Sequence, residues 1–297
     1  LSTILKLEGF NLRNIDDQLE AKINFYQTNQ KNEDNKTIPT VLPNLKYYSG
    51  IKENNNFNSS STYEFYNIFR DKNTSVHAKR QQKLSNIYNL NKKIIKFNSK
   101  LSLNAEIYNQ IYYTENKLIN SNNYHTGSTY RLFPVIGIDI ETPFKLKKKN
   151  SNFTFKPTTQ LVISPGSSNS NKISNEDSTN NSYNLDNIYS LNRYSGSDKI
   201  DNSKRINLGI EINNDQFKFG ISQLYEFTDN SNFHIEQGND DHLGDFLGSI
   251  EYKNKNSLNY NFRYDHNDNF IKEQNIDSEY NNYFGDITIS YLDQKSK

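Results

Sequence analysis

Between residues 206 and 264 apolar side chains return at every second position. Ile206, Leu208, Ile210 and Ile212 alternate with Asn207, Gly209 and Glu211. Phe217, Phe219 and Ile221 alternate with Lys218, Gly220 and Ser222, and Leu258, Tyr260, Phe262 and Tyr264 with Asn259, Asn261 and Arg263. A period of two sends successive side chains to opposite faces of an extended strand, so each segment has one apolar and one polar face. Earlier segments repeat the pattern: Leu19, Ala21, Ile23 and Phe25; Tyr63, Phe65 and Asn67; Leu101, Leu103, Ala105 and Ile107; Ile136, Ile138 and Ile140. Ile287, Ile289 and Tyr291 do so near the end. No stretch holds a helical period of 3.6, and the expected fold class is all-β and antiparallel.

Composition decides what the apolar faces meet. Hydrophobic residues make up only 33% of the chain, yet it carries 21 Tyr and 18 Phe, too many aromatics for a disordered polymer. A transmembrane β-barrel reconciles the two, because only every second residue faces lipid while the lumen and loops stay polar. No run of 18 apolar residues exists for a membrane-crossing helix. A net charge of +1 argues against general nucleic-acid binding. With no Cys, disulfides and thiolate metal sites are excluded.

Connection lengths carry a second signal. Residues 145–152, 213–216 and 253–256 read as tight turns, whereas 166–204, 228–243 and 266–279 read as long polar loops, and the two kinds alternate. Barrels of the outer membrane have short periplasmic turns and long extracellular loops in this order. The strand begun near Leu101 is expected to end at Tyr113, with a polar loop through Gly127. Pro39 and Pro43 lack ladder donors and predict a strand start or a bulge. On this reading Ile206, Leu208, Ile210, Ile212, Phe217, Phe219 and Ile221 face lipid.

Chemistry-bearing constellations are sparse. His77, His125, His234, His242 and His266 are scattered without ligand spacing. Glu176-Asp177 and Asp240-Asp241-His242 offer oxygen ligands but no glycine-framed cation loop, and read as solvated acidic turns. No Gly-x-Ser-x-Gly elbow supports acyl chemistry. Neither catalytic residues nor cofactors are expected. Arg193, Tyr194, Asp198 and Arg205 stand out in a long polar segment, where a guanidinium–carboxylate fork would fix a loop against a wall. Anchoring of the loop and direct contact with a phosphorylated ligand both remain open for these four.

Residues 174–212 carry a family resemblance. Asn175-Glu176-Asp177-Ser178, then Asn187-Ile188-Tyr189, then Arg193-Tyr194-Ser195-Gly196 with Asp198-Lys199, followed by a strand, is similar to the outer-membrane LPS-assembly (organic solvent tolerance) family. Ile38–Leu45, Arg131–Phe144, Pro157–Pro165 and Gly220–Phe227 match in family order. The chain departs from that pattern by Tyr194 for Phe, Lys199 for Arg and Ile188-Tyr189 for Leu-Phe, and Lys199 gives up bidentate pairing.

The resemblance implies a non-enzymatic conduit that inserts lipopolysaccharide into the outer leaflet of a Gram-negative outer membrane. Its implied partners are lipopolysaccharide, a lipoprotein plug, periplasmic bridge proteins and the lipid bilayer, without nucleic acid. Residues 1–297 are then expected to be part of one barrel domain, an open meander wall of roughly 12 to 14 strands. The family's jelly-roll domain and closing strands would lie elsewhere. Competing readings are a generic porin or receptor barrel, a soluble extracellular β-rich adhesin and, more distantly, an outer-membrane enzyme.

Overall fold

A computed structural model describes residues 2–28, 30, 34–54, 57–148, 151–165, 169–179, 184–185, 187–230, 242–282 and 285–295. Its strands run in chain order as β1 (Ser2–Phe10), β2 (Gln18–Tyr26), β3 (Thr40–Tyr48), β4 (Lys52–Glu53), β5 (Asn58–Phe69), β6 (Arg80–Lys96), β7 (Ser99–Asn120) and β8 (Asn123–Glu141). They continue as β9 (Phe144–Lys148), β10 (Ser151–Ile163), β11 (Lys204–Asn213), β12 (Phe217–Glu226), β13 (Phe246–Lys253), β14 (Ser257–Asp265), β15 (Phe270–Asn282) and β16 (Gly285–Gln294). No α-helix occurs among the described residues.

All the strands belong to one antiparallel sheet, each paired with its neighbour in sequence. β4 and β9 lie off the main path and continue β3 and β8, leaving fourteen strand positions across the sheet. The break between β8 and β9 falls at Thr142-Pro143, where Pro143 has no N–H to donate. Pro39 directly precedes β3, and Pro43 sits where the β3–β5 register shifts between Val41 and Asn44, the bulge its missing donor requires. The edge strands β1 and β16 pair only with β2 and β15. The sheet is an open meander.

Because consecutive strands run antiparallel, their connections alternate between two ends. One end has short turns. Phe97 and Asn98 both take positive φ, at 51° and 58°, a two-residue hairpin turn whose twist matches the strands. The Asn214 side chain accepts from the backbone amides of Gln216 and Phe217 at 2.8 and 2.6 Å and closes the β11–β12 turn. The other end carries the β10–β11 and β12–β13 loops.

Three expectations about connections are corrected. Most of residues 145–152, expected as a tight turn, is strand, with residues 145–148 of β9 paired to 151–154 of β10. β7 continues past Tyr113 to Asn120 and pairs with β8 from Asn123, so residues 114–127 form a projecting hairpin. Apolar periodicity fades there because the backbone ladder, not an apolar face, holds the hairpin. Most of 266–279 is likewise strand: β15 starts at Phe270, leaving a turn of 266–269. A register shift at Arg263/Tyr264 and polar residues on both faces hide its alternation.

The two faces differ along the strands. On β8, Tyr130, Leu132, Ile136 and Ile140 are exposed, whereas Phe133 and Val135 between them are buried. On β11, Leu208, Ile210 and Ile212 are exposed and Ile206 is half-buried, while Arg205 and Asn207 are buried. On β12, Phe217 and Phe219 are exposed and Ile221 half-buried. What buries the second face is the chain's own long loop.

If residues 114–127 are ladder, their amides exchange slowly. Hydrogen–deuterium exchange on the whole protein in detergent is expected to protect the amides of Leu118 and His125 at least tenfold over that of Asn122, at the hairpin tip. Equal, fast exchange at all three would restore the loop.

Candidate functional site

The β10–β11 loop lies back across the sheet, and its described residues between 169 and 203 cover the face to which Tyr66, Lys83, Tyr112, Arg131, Arg205 and Glu226 point. Two apolar seats hold it. Leu191 and Ile200 pack among Tyr108, Phe133, Val135 and Val162 of β7, β8 and β10, and Ile188 packs against Leu224 and Leu247 of β12 and β13. Glycines on the strands make room: a Cβ on Gly137 would lie 2.4 Å from Leu191 Cδ2, and one on Gly209 would lie 2.0 Å from the Tyr189 hydroxyl. A glycine inside a strand often marks such a close approach.

Polar anchoring falls into two buried networks. In the first, Lys83 on β6 is wholly buried and lies 2.9 Å from Glu64, 2.7 Å from Asp177 and 3.2 Å from Asp198. The Tyr66 hydroxyl lies 2.9 Å from both Asp198 oxygens, and Tyr112 donates to one of them at 3.2 Å. Backbone amides of Glu176 and Asp177 donate to Asp198 at 2.8 and 3.2 Å. Asp177 in turn accepts from the amides of Ser197 and Asp198 at 3.0 and 2.8 Å. Gly196 is required in this turn, since a Cβ there would lie 2.4 Å from the Asp177 carbonyl oxygen. Arg131 on β8 donates to the carbonyls of Ser197 and Asp198 at 2.5 and 2.8 Å. The Gln81 side-chain amide donates to the Ser174 carbonyl and accepts from its N–H, both at 2.7 Å, as a neighbouring strand would.

The second network contains two guanidiniums and two carboxylates. Arg193 forks onto Asp201 at 2.6 and 3.3 Å and reaches Glu226 on β12 at 2.7 Å. Arg205 donates to Asp201 at 2.9 Å and to the Ser190 carbonyl at 2.5 Å. Ser203 donates to Glu226 at 2.7 Å. Asp201 and Arg205 are 0% exposed and Glu226 is 1% exposed, so the charges compensate one another out of water. A third anchor is the bidentate pair of Arg70 and Glu176, at 3.0 and 2.5 Å.

Arg193, Tyr194, Asp198 and Arg205 are thus all buried in the loop's seat. Arg193 and Arg205 pair with Asp201 and Glu226, while Asp198 belongs to the Lys83 network; the two guanidiniums and Asp198 form no common site. Sequence reasoning missed Lys83, Arg131, Asp201 and Glu226, which look like ordinary lumen charges until the loop's path is known. Gly137 and Gly209 were the available signal. The carboxylates of Glu176 and Asp177 are engaged by Arg70 and Lys83. Asp240, Asp241 and His234 lie outside the described residues. Asp245, Asp265 and His266 form a small cluster, but Lys272 already sits 2.8 Å from Asp265 and 3.4 Å from Asp245.

Below the loop, toward the short-turn end, the same face opens into two polar cavities. One, of about 550 Å³, is lined by Asn58, Asn89, Asn91, Asn104, Lys93 and Tyr189 among others. The other, of about 420 Å³, contains Asp139, Glu141, Lys156, Glu211, Lys218 and Glu251. Ions of opposite sign alternate across strands there, with Lys156–Glu211 at 3.3 Å and Lys218–Glu251 at 3.1 Å.

Burial raises the Asp198 carboxyl to about 6 against the pull of Lys83, with Asp177 adding repulsion. Glu176 falls from 4.5 to about 2, because contacts from His77 and Arg70 outweigh the raising effect of its burial. A lowered carboxylate stabilises the docked loop above its unfolded value, and the contribution disappears as pH falls from 4.5 toward 2. By linkage it is about 3 kcal/mol. Asp198 has the opposite sign, so a difference isolates Glu176. Loop proteolysis in the whole protein is expected to accelerate between pH 4.5 and 2 more steeply in wild type than in Glu176→Gln, and parallel profiles would remove Glu176 as an anchor. Asp201→Asn leaves two guanidiniums short of charge in a dry site. It is expected to destabilise by about 3–5 kcal/mol, read as a lower unfolding temperature on heat-modifiability gels. An unchanged midpoint would contradict the compensation described above.

A family model described as LPS transport system D matches residues 6–297. No curated protein matches the sequence. The match spans nearly all of the chain, from β1 through the anchored loop to β16, and agrees with an antiparallel all-β sheet carrying one apolar exposed face. This chain belongs to the LPS transport system D family, an outer-membrane family of lipopolysaccharide transport and assembly.

Proposed function

We propose that residues 1–297 are part of the wall of one outer-membrane β-barrel domain, which delivers lipopolysaccharide to the outer leaflet as a conduit and without catalysis. The observation that carries this reading is the chemical opposition of the two sheet faces. Leu132, Ile136 and Leu208 are 57%, 52% and 52% exposed on one face, an apolar surface suited to lipid. Behind them lie polar cavities lined by amides and balanced ion pairs, which solvate sugar and phosphate. The partners in this reading are lipopolysaccharide, a lipoprotein plug and periplasmic bridge proteins, with the long-loop end outside the cell.

Ile206, Leu208, Ile210, Ile212, Phe217, Phe219 and Ile221 contact lipid in this proposal. Arg193, Tyr194, Asp198 and Arg205 act by holding the loop and not by binding a lipopolysaccharide phosphate. Both guanidiniums already have buried carboxylates, and a phosphate would have to displace them.

The membrane assignment is tested by depth. Arg at the bilayer midplane of a barrel costs about 2–4 kcal/mol and falls toward zero at the interfaces. In the full-length protein, Arg placed singly at 206, 208, 210 and 212 is expected to reduce insertion most in the middle and least at one end. Glu211→Arg, on the other face, is tolerated. A flat profile, with all four equally damaging, would mean that another protein surface and not a bilayer covers this face.

A further inference from the structure

Two neighbouring hairpins at the short-turn end concentrate basic charge in a chain whose net charge is only +1. Residues 92–100, at the β6–β7 turn, contain Lys92, Lys93, Lys96 and Lys100 and no acid. β9 adds Lys145, Lys147 and Lys148, again with no acid. Lys100 is neutralised by Glu141 at 2.9 Å. Lys92 and Lys96 are exposed, have no ion-pair partner among the described residues and lie by register on the face of Leu103 and Ile138, whereas Lys93 and Lys145 lie on the other face. The topology places both hairpins on adjoining strands, β6, β7, β8/β9 and β10.

Large apolar side chains accompany these lysines. Ile94 and Phe97 are 38% and 87% exposed on the first hairpin, and Phe144, Leu146 and Phe153 are exposed on the second. Register places Phe144 opposite Phe155 and Leu146 opposite Phe153, on the face that carries Ile138 and Ile140. The apolar surface therefore runs without a break down to Lys92 and Lys96. Cationic side chains beside aromatic ones, at the border of an apolar belt, match the edge of a bilayer: the apolar parts enter the interface and the ammonium groups meet anionic headgroups. An acidic soluble protein would match the charge but gives no reason for continuity with the apolar face.

We infer that Lys92 and Lys96, together with the apolar side chains of the β6–β7 and β9–β10 hairpins, form a docking surface for anionic phospholipid headgroups of the adjacent leaflet. The inference rests on the proposed membrane role of the apolar face, and the experiment separates the two. The full-length protein is reconstituted in vesicles of equimolar phosphatidylcholine and phosphatidylglycerol, then extracted in mild detergent, and the retained lipids are counted by native mass spectrometry. Wild type is expected to retain phosphatidylglycerol over phosphatidylcholine by at least threefold, falling toward one in 0.5 M salt.

Changing Lys92 and Lys96 together to Gln is expected to abolish the preference. The same two positions as Arg keep it, as do Lys93→Gln on the inner face and Lys72→Gln at the opposite end. The Arg variant guards against misfolding, because it preserves charge while altering the same sites. Retained preference in the Gln variant, or no preference in a wild-type protein that gives a heat-modifiable band in vesicles, would overturn the inference and leave the membrane reading intact. Equal lipid ratios together with salt-sensitive capture of an acidic protein would also overturn it and assign the surface to a protein. If wild type gives no heat-modifiable band in vesicles of any composition, the membrane reading falls and the inference with it.

Discussion

Lys83 carries its ammonium to a place that water does not reach, and three carboxylates meet it there. Glu64 comes from the adjoining strand, while Asp177 and Asp198 come from a loop about a hundred residues further along the chain. Removing either side would strand a buried charge, which is far more costly than never having built the pair. The same condition recurs around Asp201, where Arg193 of the loop and Arg205 of β11 share one carboxylate and Glu226 of β12 balances the remaining charge. The loop's position follows from this matching. Its apolar residues supply burial, but the charges determine where it can settle.

The sheet was legible in the sequence wherever one strand face meets water and the other an apolar surface. Ile206 to Ile212 and Phe217 to Ile221 announce themselves by period alone, and so do the tight turns around Asn214 and Lys255. Legibility fails where both faces have the same polarity. Residues 114–127 and 270–279 look like loops because no apolar stripe marks them, although backbone pairing holds them as strands. For the loop, Arg193, Asp198 and Arg205 were recognisable as anchors, but their partners were not. Asp201 is close in sequence; Lys83 and Glu226 sit on strands whose inward polar residues would ordinarily face a wet lumen. Pairing across 94 to 132 residues leaves no local signature.

One face of the wall thus serves two ends differently. Near the long loops it is dry, filled by the described residues of the β10–β11 loop and braced by hydroxyls, amides and paired ions. Toward the short turns it is open, and Lys156, Glu211, Lys218 and Glu251 answer one another across β10 to β13, while Asp139 and Glu141 of β8 add negative charge to the same cavity. The opposite face is apolar along β8 and β10 to β14, with polar interruptions such as Gln274 and Ser278 on β15.

The glycine seats have a consequence for the order of assembly. Gly137 lies on β8 and Gly209 on β11, while the loop's charged contacts begin at Tyr66 on β5 and end at Glu226 on β12. No single hairpin offers more than a fragment of that berth. The anchoring residues Glu176, Asp177, Leu191, Arg193, Asp198 and Ile200 therefore have nowhere to come to rest until most of the wall stands, and contacts so distant in sequence form late because loop closure precedes their reward. The loop is a keystone: seated, it ties together strands that otherwise touch only their nearest neighbours.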